Sequence, residues 1–168
     1  MKFFGKVMAI ERKFQESIQK TIQGLEIESG GFDSKINKND MKNLEKIKYE
    51  LKYPGSERLW YTADVIRIGL SISQIHKLTS IDKWYLSQIQ DIITIEKIQS
   101  TSIYNIDNEF FKEIKKRFSN KKIAILMHES EDNIHSIRYN LNLHPVYKKI
   151  DTCSTEFHTE TLYMYSTW

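Results

Sequence analysis

Residues 70–98 read LSISQIHKLTSIDKWYLSQIQDIITIEKI, and this stretch predicts two helices in succession. Ser71 is followed three residues later by Gln74, which is the pattern of a capping box at a helix start. The apolar residues after Gln74 repeat at helical spacing. Ser80 or Asp82 is predicted to open a second helix, the longest of the chain, which runs to about residue 98.

The same pattern extends in both directions, and only two prolines and six glycines interrupt it. We therefore expect an all-α, multihelical fold. Residues 121–127 would also suit a short buried strand, but an isolated strand has no partner for its hydrogen bonds, so a helix is predicted. Five further helices are predicted. The first begins near residue 14 and ends by residues 29–31, and the second begins at residue 40 and ends by residue 53. The other three cover about 56–68, 107–118 and 130–141.

A faint internal repeat runs through these helices. The spacing of serine and apolar residues in 70–78 recurs in 118–126, and a further serine, Ser80 or Ser130, follows each copy. This pattern predicts two loosely duplicated helical lobes, although capped amphipathic helices share it and chance would also produce it.

The predicted core consists of large apolar residues at helical spacing: Trp60, Trp84, Ile89, Phe110 and Ile114. We expect Trp84→Ala to cost about 3–5 kcal/mol, because loss of a fully buried aromatic side chain leaves a cavity. The last predicted helix should turn Ile134, Ile137 and Leu141 inward.

Composition excludes several classes of protein. A chain of 168 residues suits one domain, and a formal charge of +3 is too small to require a nucleic acid or a membrane as partner. A single cysteine, Cys153, excludes an internal disulfide framework and favours a reducing compartment. No apolar run approaches the ~18 residues of a membrane span, and no signal peptide is recognised, so we expect a cytoplasmic location.

Catalytic motifs are hard to find. The chain has no glycine-rich phosphate-binding loop and no Gly-x-Ser-x-Gly motif. The lone cysteine and scattered histidines lack the close pairs of a zinc site, so neither a metal nor a cofactor is expected. Glu129, Glu131 and Asp132 form a carboxylate cluster that could contain an active-site dyad, but acidic residues at a helix start more often stabilise the helix dipole.

A DNA-binding helix-turn-helix is the main alternative. Residues 71–89 and 119–141 each predict a helix, a short turn and a second helix, and a basic run at 112–122 lies nearby. Phosphates would, however, repel the acidic start of the later second helix. The basic run is therefore interpreted as a solvated face.

Ordered landmarks along the whole chain carry a resemblance to a known family. They include Gly31-Phe32-Asp33, the segment 58–67 with its Arg-x-Trp-Tyr and Ala-Asp elements, and Ile81-Asp82-Lys83-Trp84-Tyr85-Leu86. The most specific part is a linker signature: His144, Pro145, Val146, Tyr147, Lys148, Asp151, Thr152, Cys153, Glu156 and Phe157. Together these landmarks resemble the central oligomerisation, or connection, domain of the large subunit of carbamoyl-phosphate synthase.

The resemblance implies a structural role within a larger ligase of pyrimidine and arginine biosynthesis. That enzyme makes carbamoyl phosphate from bicarbonate, ammonia released from glutamine, and two ATP, with Mg or Mn and K as cofactors. Its partners would be the two ATP-grasp halves, a glutaminase small subunit and further copies of itself. The family's nucleotide, metal and bicarbonate residues fall outside this chain, so no catalytic or cofactor-binding residue is carried over.

The resemblance also implies a division of the chain. Residues 1–12 would be the tail of the preceding ATP-grasp half, 13–143 the helical domain, and 144–168 an extended linker toward the second half. Pro145 disfavours helix at His144, and the aromatic residues near the end of the chain need a surface that the second half would supply. Two positions depart from the family pattern: Lys6 replaces a glutamate and Glu11 replaces a glycine.

Overall fold

The computed structural model describes residues 7–25, 27, 29–36, 44–99, 111, 114, 118–153, 156 and 163–167. It contains helices α1 (Phe14–Gln23), α2 (Leu44–Lys52), α3 (Arg58–Ile68), α4 (Ile72–Thr79), α5 (Lys83–Gln99), α6 (Asn120–Met127) and α7 (Glu131–Asn140), followed by strands β1 (Val146–Lys149) and β2 (Met164–Thr167). The all-α, multihelical prediction is confirmed. Predictions for Lys6, Asp40, Asp107, Phe110, Phe157, His158, Trp168 and most of the basic run at 112–122 lie outside the described residues.

Side-chain caps set where several helices begin. Ser71 and Gln74 form the predicted capping box at the start of α4, and Ser130 accepts from the Asn133 N–H at the start of α7. Asp82, rather than Ser80, opens α5, because its Oδ1 accepts from the Trp84 N–H at 2.8 Å.

The first helix is shorter than predicted. It ends at Gln23, with Gly24 as its C-cap, and does not reach residues 29–31. Glycine is a weak helix former, and a Cβ on Gly24 would lie only 3.1 Å from Val7 Cγ1. The segment that follows instead bonds to α3, as described below.

The buried apolar residues that the structure describes form one core among the helices. Of the predicted core residues, Trp60, Ile89 and Ile114 are buried, with at most 3 % of each residue exposed. The prediction for Trp84 is wrong, because this residue is 52 % exposed. Helix α5 buries the face that carries Leu86 and Ile89, and Trp84 lies two residues before Leu86, on the far side of the helix.

The prediction that Ile137, in the last helix, faces inward is also wrong. Ile134 is fully buried and Leu141 packs partly against the core, but Ile137 is 38 % exposed. In α7 the apolar residues are too few to form a wide stripe, so only one turn of the helix meets the core.

The helix pairs α4–α5 and α6–α7 repeat each other at a constant offset of 48 residues. Ser71 and Ser119 cap the first helices, which are both eight residues long. Those helices end at residues with left-handed backbone, Ser80 at φ 58° and His128 at φ 54°. The buried residues correspond as well, since Ile75 and Ile123 are each 0 % exposed, as are Leu86 and Ile134. The predicted duplication thus appears in backbone and burial alike.

The segment after α7 is extended rather than helical in its described part, as expected. Strands β1 and β2 form an antiparallel pair from Val146 opposite Thr167 to Lys149 opposite Met164. The pairing itself was not predicted. Thr167 is buried, whereas Tyr147, Tyr163 and Met164 are each more than half exposed, so one part of the hairpin meets the helices and another part faces outward.

Candidate functional site: the landmark residues and the exposed aromatic surface

The family landmarks in α3 bind the loop that follows α1. The indole N–H of Trp60 donates to the carbonyl oxygen of Gly31 at 3.1 Å in a buried setting. Asp64, which is 2 % exposed, accepts from the backbone N–H groups of Lys35 at 2.8 Å and Ile36 at 3.2 Å. These contacts satisfy the loop's backbone and fix its path.

Arg67 extends this set of contacts from α3 to α5. Its guanidinium forms ion pairs with Asp64 at 2.6 Å and with Glu96 at 2.8 Å, and it also donates to the carbonyl oxygen of Phe32. The planar guanidinium can hold several acceptors at once, so one side chain joins two helices and the loop.

Lys122 supplies the second cation of this ion-pair network. Its ammonium, on a side chain only 6 % exposed, lies 3.1 Å from a carboxylate oxygen of Asp33 and 3.1 Å from one of Glu96. The basic run was interpreted as a solvated face, and for Lys122 that interpretation is wrong. The residue is buried because two carboxylates from α5 and the loop compensate its charge.

The pKa of Asp33 responds to this arrangement. Partial burial by itself raises the pKa of this carboxyl, but the positive charge of Lys122 and hydrogen bonds from Lys122, Gly30 and Ser29 outweigh it. The net effect is a pKa below the ordinary value of 3.8. The carboxylate form of Asp33 is therefore the one that the folded structure favours.

Arg58, another landmark, joins three helices. Its Nε donates to the carbonyl oxygen of Leu51 at 2.9 Å, and its terminal nitrogen donates to the carbonyl oxygen of Thr79. Those acceptors lie at the ends of α2 and α4, where helical carbonyl groups lack partners within the helix. The landmark side chains Arg58, Trp60, Asp64 and Arg67 are thus engaged in internal contacts that stabilise the fold.

The described residues of the linker signature lie along β1 and in the turn that follows it. His144 to Lys148 lead into and along β1, and Tyr147 is 70 % exposed. In the turn that follows, Asp151 accepts from the Cys153 N–H at 3.0 Å, and Cys153 accepts from the Glu156 N–H at 3.0 Å. The signature residues that the structure describes therefore shape a hairpin and its turn.

An exposed aromatic surface is the feature that sequence reasoning missed. Phe14 from α1 packs against Trp84 and Tyr85 from α5, with ring centroids 5.1 and 5.3 Å apart. Trp84 is 52 % exposed and Tyr85 is 47 % exposed. Exposed clusters of aromatic side chains are typical of contacts between proteins or domains.

The acidic residues near the start of α7 have the positions expected of helix-start residues. Glu131 and Asp132 lie in its first turn, and Glu129 accepts from the Asn133 side chain at 2.8 Å. A recognition helix would present the N-terminal end of α7 to DNA, and these carboxylates would repel phosphates there. None of the observations supports the DNA-binding alternative.

Among residues 7–25, 27, 29–36, 44–99, 111, 114, 118–153, 156 and 163–167, no three His, Cys, Asp or Glu residues are arranged to hold a metal ion. No helix within those ranges is both long enough and apolar enough to cross a membrane.

Comparison with known proteins identifies the family. Residues 6–142 match the family model described as "Carbamoyl-phosphate synthetase large chain, oligomerisation domain". The whole chain aligns with carbamoyl phosphate synthase large chains, at 55 % identity with that of Buchnera aphidicola subsp. Acyrthosiphon pisum, 45 % with that of Pseudomonas aeruginosa and 41 % with that of Vibrio cholerae. It spans 16 % of the length of each of these relatives. This chain belongs to the family of oligomerisation domains of the carbamoyl-phosphate synthase large chain.

Proposed function

We propose that this chain is the structural connection between two ATP-using halves of a carbamoyl-phosphate synthase large chain and that it contributes to the assembly of that enzyme. One observation carries the proposal: identity of 55 % over the whole chain to a segment that makes up 16 % of a carbamoyl phosphate synthase large chain. Similarity along the full length of this short piece supports a corresponding place for it in the architecture of the large chain.

The proposed parent enzyme is a ligase that makes carbamoyl phosphate from bicarbonate, ammonia and two ATP. The ATP, with Mg or Mn, and K would bind to the two ATP-grasp halves, and a glutaminase small subunit would supply the ammonia. The enzyme would work in the cytoplasm. The connection domain would itself be non-catalytic, because its charged landmark residues bind one another and backbone groups.

The internal contacts suit a rigid spacer. Arg58 joins three helices, and the network of Arg67, Glu96 and Lys122 joins α3, α5, α6 and the loop. A spacer that holds two catalytic halves at a fixed distance needs this kind of cross-bracing, because helices held by apolar contacts alone can slide past each other.

Two outward-facing features suit contacts with the rest of the enzyme. The aromatic surface of Phe14, Trp84 and Tyr85 is one. The hairpin is the other, since a two-stranded sheet is only marginally stable alone and Tyr147 and Met164 lie exposed on it. We assign residues 1–12 to the preceding half, 13–143 to the helical domain and 144–168 to the linker toward the second half.

A chimeric enzyme tests this role. The segment of the Pseudomonas aeruginosa large chain that aligns with this chain is replaced by residues 1–168, and carbamoyl phosphate formation and molecular mass are measured with the small subunit present. We expect a chimera that folds, assembles and makes carbamoyl phosphate. A chimera that folds but neither assembles nor makes the product would contradict the proposal.

Self-association is tested on the chain alone. Sedimentation velocity over a range of concentrations should give a mass that rises with concentration, because the family is named for oligomerisation. A monomer at all concentrations would remove self-association from the proposed role and leave the connecting role to be judged by the chimera.

A further inference from the structure

The side chain of Lys20 on α1 contacts two segments that are far apart in the sequence. Its ammonium lies 2.8 Å from Glu11 Oε1, in the segment of residues 7–12 that precedes α1. The same ammonium donates to the carbonyl oxygen of Ser166 at 2.9 Å and to its hydroxyl oxygen at 3.1 Å, in β2. We infer that Lys20 is a junction that holds the leading segment (residues 7–12) and β2 together on α1.

The hydrogen-bonding capacity of Lys20 is fully used at this junction. An ammonium group has three N–H donors, and Lys20 has three acceptors within hydrogen-bond distance. The Glu11 side chain is only 7 % exposed, so its charge is largely removed from water and depends on Lys20 for compensation. Loss of the ammonium would therefore affect both segments at once.

Neighbouring contacts show how the leading segment lies on α1. The hydroxyl of Ser17 donates to the carbonyl oxygen of Ala9 at 3.3 Å, and Gly24 faces Val7 closely enough that an added Cβ would lie 3.1 Å from it. Ser17, Lys20 and Gly24 follow one another at intervals of three and four residues, so they share one face of α1. The leading segment therefore packs along the face to which β2 is also attached.

The junction has a mechanical consequence, and this part of the inference rests on the proposed function. If the leading segment arrives from one ATP-using half and the hairpin leads toward the other, a single ammonium joins the two connections. A displacement of one half would then be transmitted to the other without passing through the helical core.

Hydrogen–deuterium exchange on the 168-residue chain tests the junction independently of enzyme assembly. The variant is Lys20→Met, which keeps the aliphatic stem and removes the ammonium. Lys35→Met is the matched control, because the Lys35 side chain is also 36 % exposed and also forms an ion pair, with Glu57 at 2.9 Å. Peptides that cover residues 7–12, 163–167 and α5 are followed by mass spectrometry.

We expect Lys20→Met to raise the exchange rate at least severalfold in both 7–12 and 163–167, with α5 unchanged, and Lys35→Met to leave all three peptides unchanged. An unchanged rate in either of the two joined segments would overturn the junction, as would an equal effect of Lys35→Met. If Lys20→Met loses its helical circular dichroism, Lys20→Gln is judged by the same criteria. Failure here would leave the chimeric-enzyme test intact, so the two proposals can fail separately.

Discussion

Glu96 on α5 and Lys122 on α6 face each other at 3.1 Å, although 26 residues separate them in the sequence. The other carboxylate oxygen of Glu96 pairs with Arg67 at 2.8 Å. One carboxylate therefore compensates two cations from two different helices. Because the Lys122 side chain is 6 % exposed and that of Glu96 is 14 % exposed, the interaction is screened much less than a surface ion pair would be.

Lys122→Met should destabilise the protein substantially. The substitution preserves the aliphatic stem but leaves Glu96 and Asp33 without a shared cation. Removal of one partner from a buried ion pair costs about 3–5 kcal/mol, and we expect the lower end because the Asp33 side chain is 40 % exposed. Urea denaturation followed by circular dichroism measures the change. Lys121→Met, at the exposed neighbouring position, is the control and should alter stability by no more than about 0.5 kcal/mol.

The network should also give the protein a defined sensitivity to acid. The folded-state pKa of Asp33 is below its ordinary value, so this group stabilises the fold above the unfolded-state pKa of 3.8, and that stabilisation is lost as the pH falls through the folded-state pKa. We expect the free energy of unfolding to fall between about pH 5 and pH 2.

Asp33→Asn provides the comparison. At neutral pH the variant should have a lower free energy of unfolding than the unsubstituted chain. This difference in free energy should become smaller as the pH is lowered, because asparagine cannot titrate. If the difference in free energy of unfolding stayed constant across the acid range, Asp33 would not stabilise the fold through its charge.

Replacement by phenylalanine should destabilise the protein at Trp60 but have little effect at Trp84. Trp60→Phe removes the indole donor to the Gly31 carbonyl, which still accepts from the Asp33 N–H and the Ser29 hydroxyl, and it leaves a smaller ring in a buried site. Together the lost hydrogen bond and the unfilled space should cost about 1–3 kcal/mol. Trp84→Phe changes an exposed side chain and should cost no more than about 0.5 kcal/mol. Thermal unfolding of both variants decides, and equal losses would contradict the burial assignments.

The prediction that Trp84 lies in the core failed because helical spacing alone does not specify which face of α5 is buried. All three residues from 84 to 86, near the start of α5, are aromatic or apolar, so helical spacing alone permits more than one buried face. The aromatic size of Trp84 favoured a core assignment, whereas the packing of α3, α4 and α5 selects the face of Leu86 and Ile89. The choice depends on neighbours that periodicity does not specify.

Local signals were more reliable than long-range ones. The capping box of Ser71 and Gln74 involves residues three positions apart, and it marked the start of α4 correctly. The ion pair of Lys122 with Asp33 and the pairing of Val146 with Thr167 join distant residues. Charge and strand propensity indicate that such residues need partners, but they do not say which partners the fold brings near.

Titration of the chain with Mg-ATP should give no saturable heat in the micromolar range. The chain lacks a glycine-rich phosphate-binding loop, and its buried cations Arg67 and Lys122 are already compensated by carboxylates. A full-length carbamoyl-phosphate synthase large chain in the same calorimeter is the positive control. A stoichiometric binding curve from the isolated chain would contradict its assignment as a non-catalytic domain.

The helix pair α6–α7 repeats the pair α4–α5 at an offset of 48 residues, and this repeat has a consequence for the order of folding. Each unit is a capped helix pair closed by a tight turn, so most of its own contacts join residues close in sequence. We expect such contacts to form early, because little chain entropy is lost in closing them. During synthesis the first unit can therefore fold while the second is still being translated. The ion pairs of Lys122 with Asp33 and Glu96, which are distant in sequence, can then form on helices that are already folded.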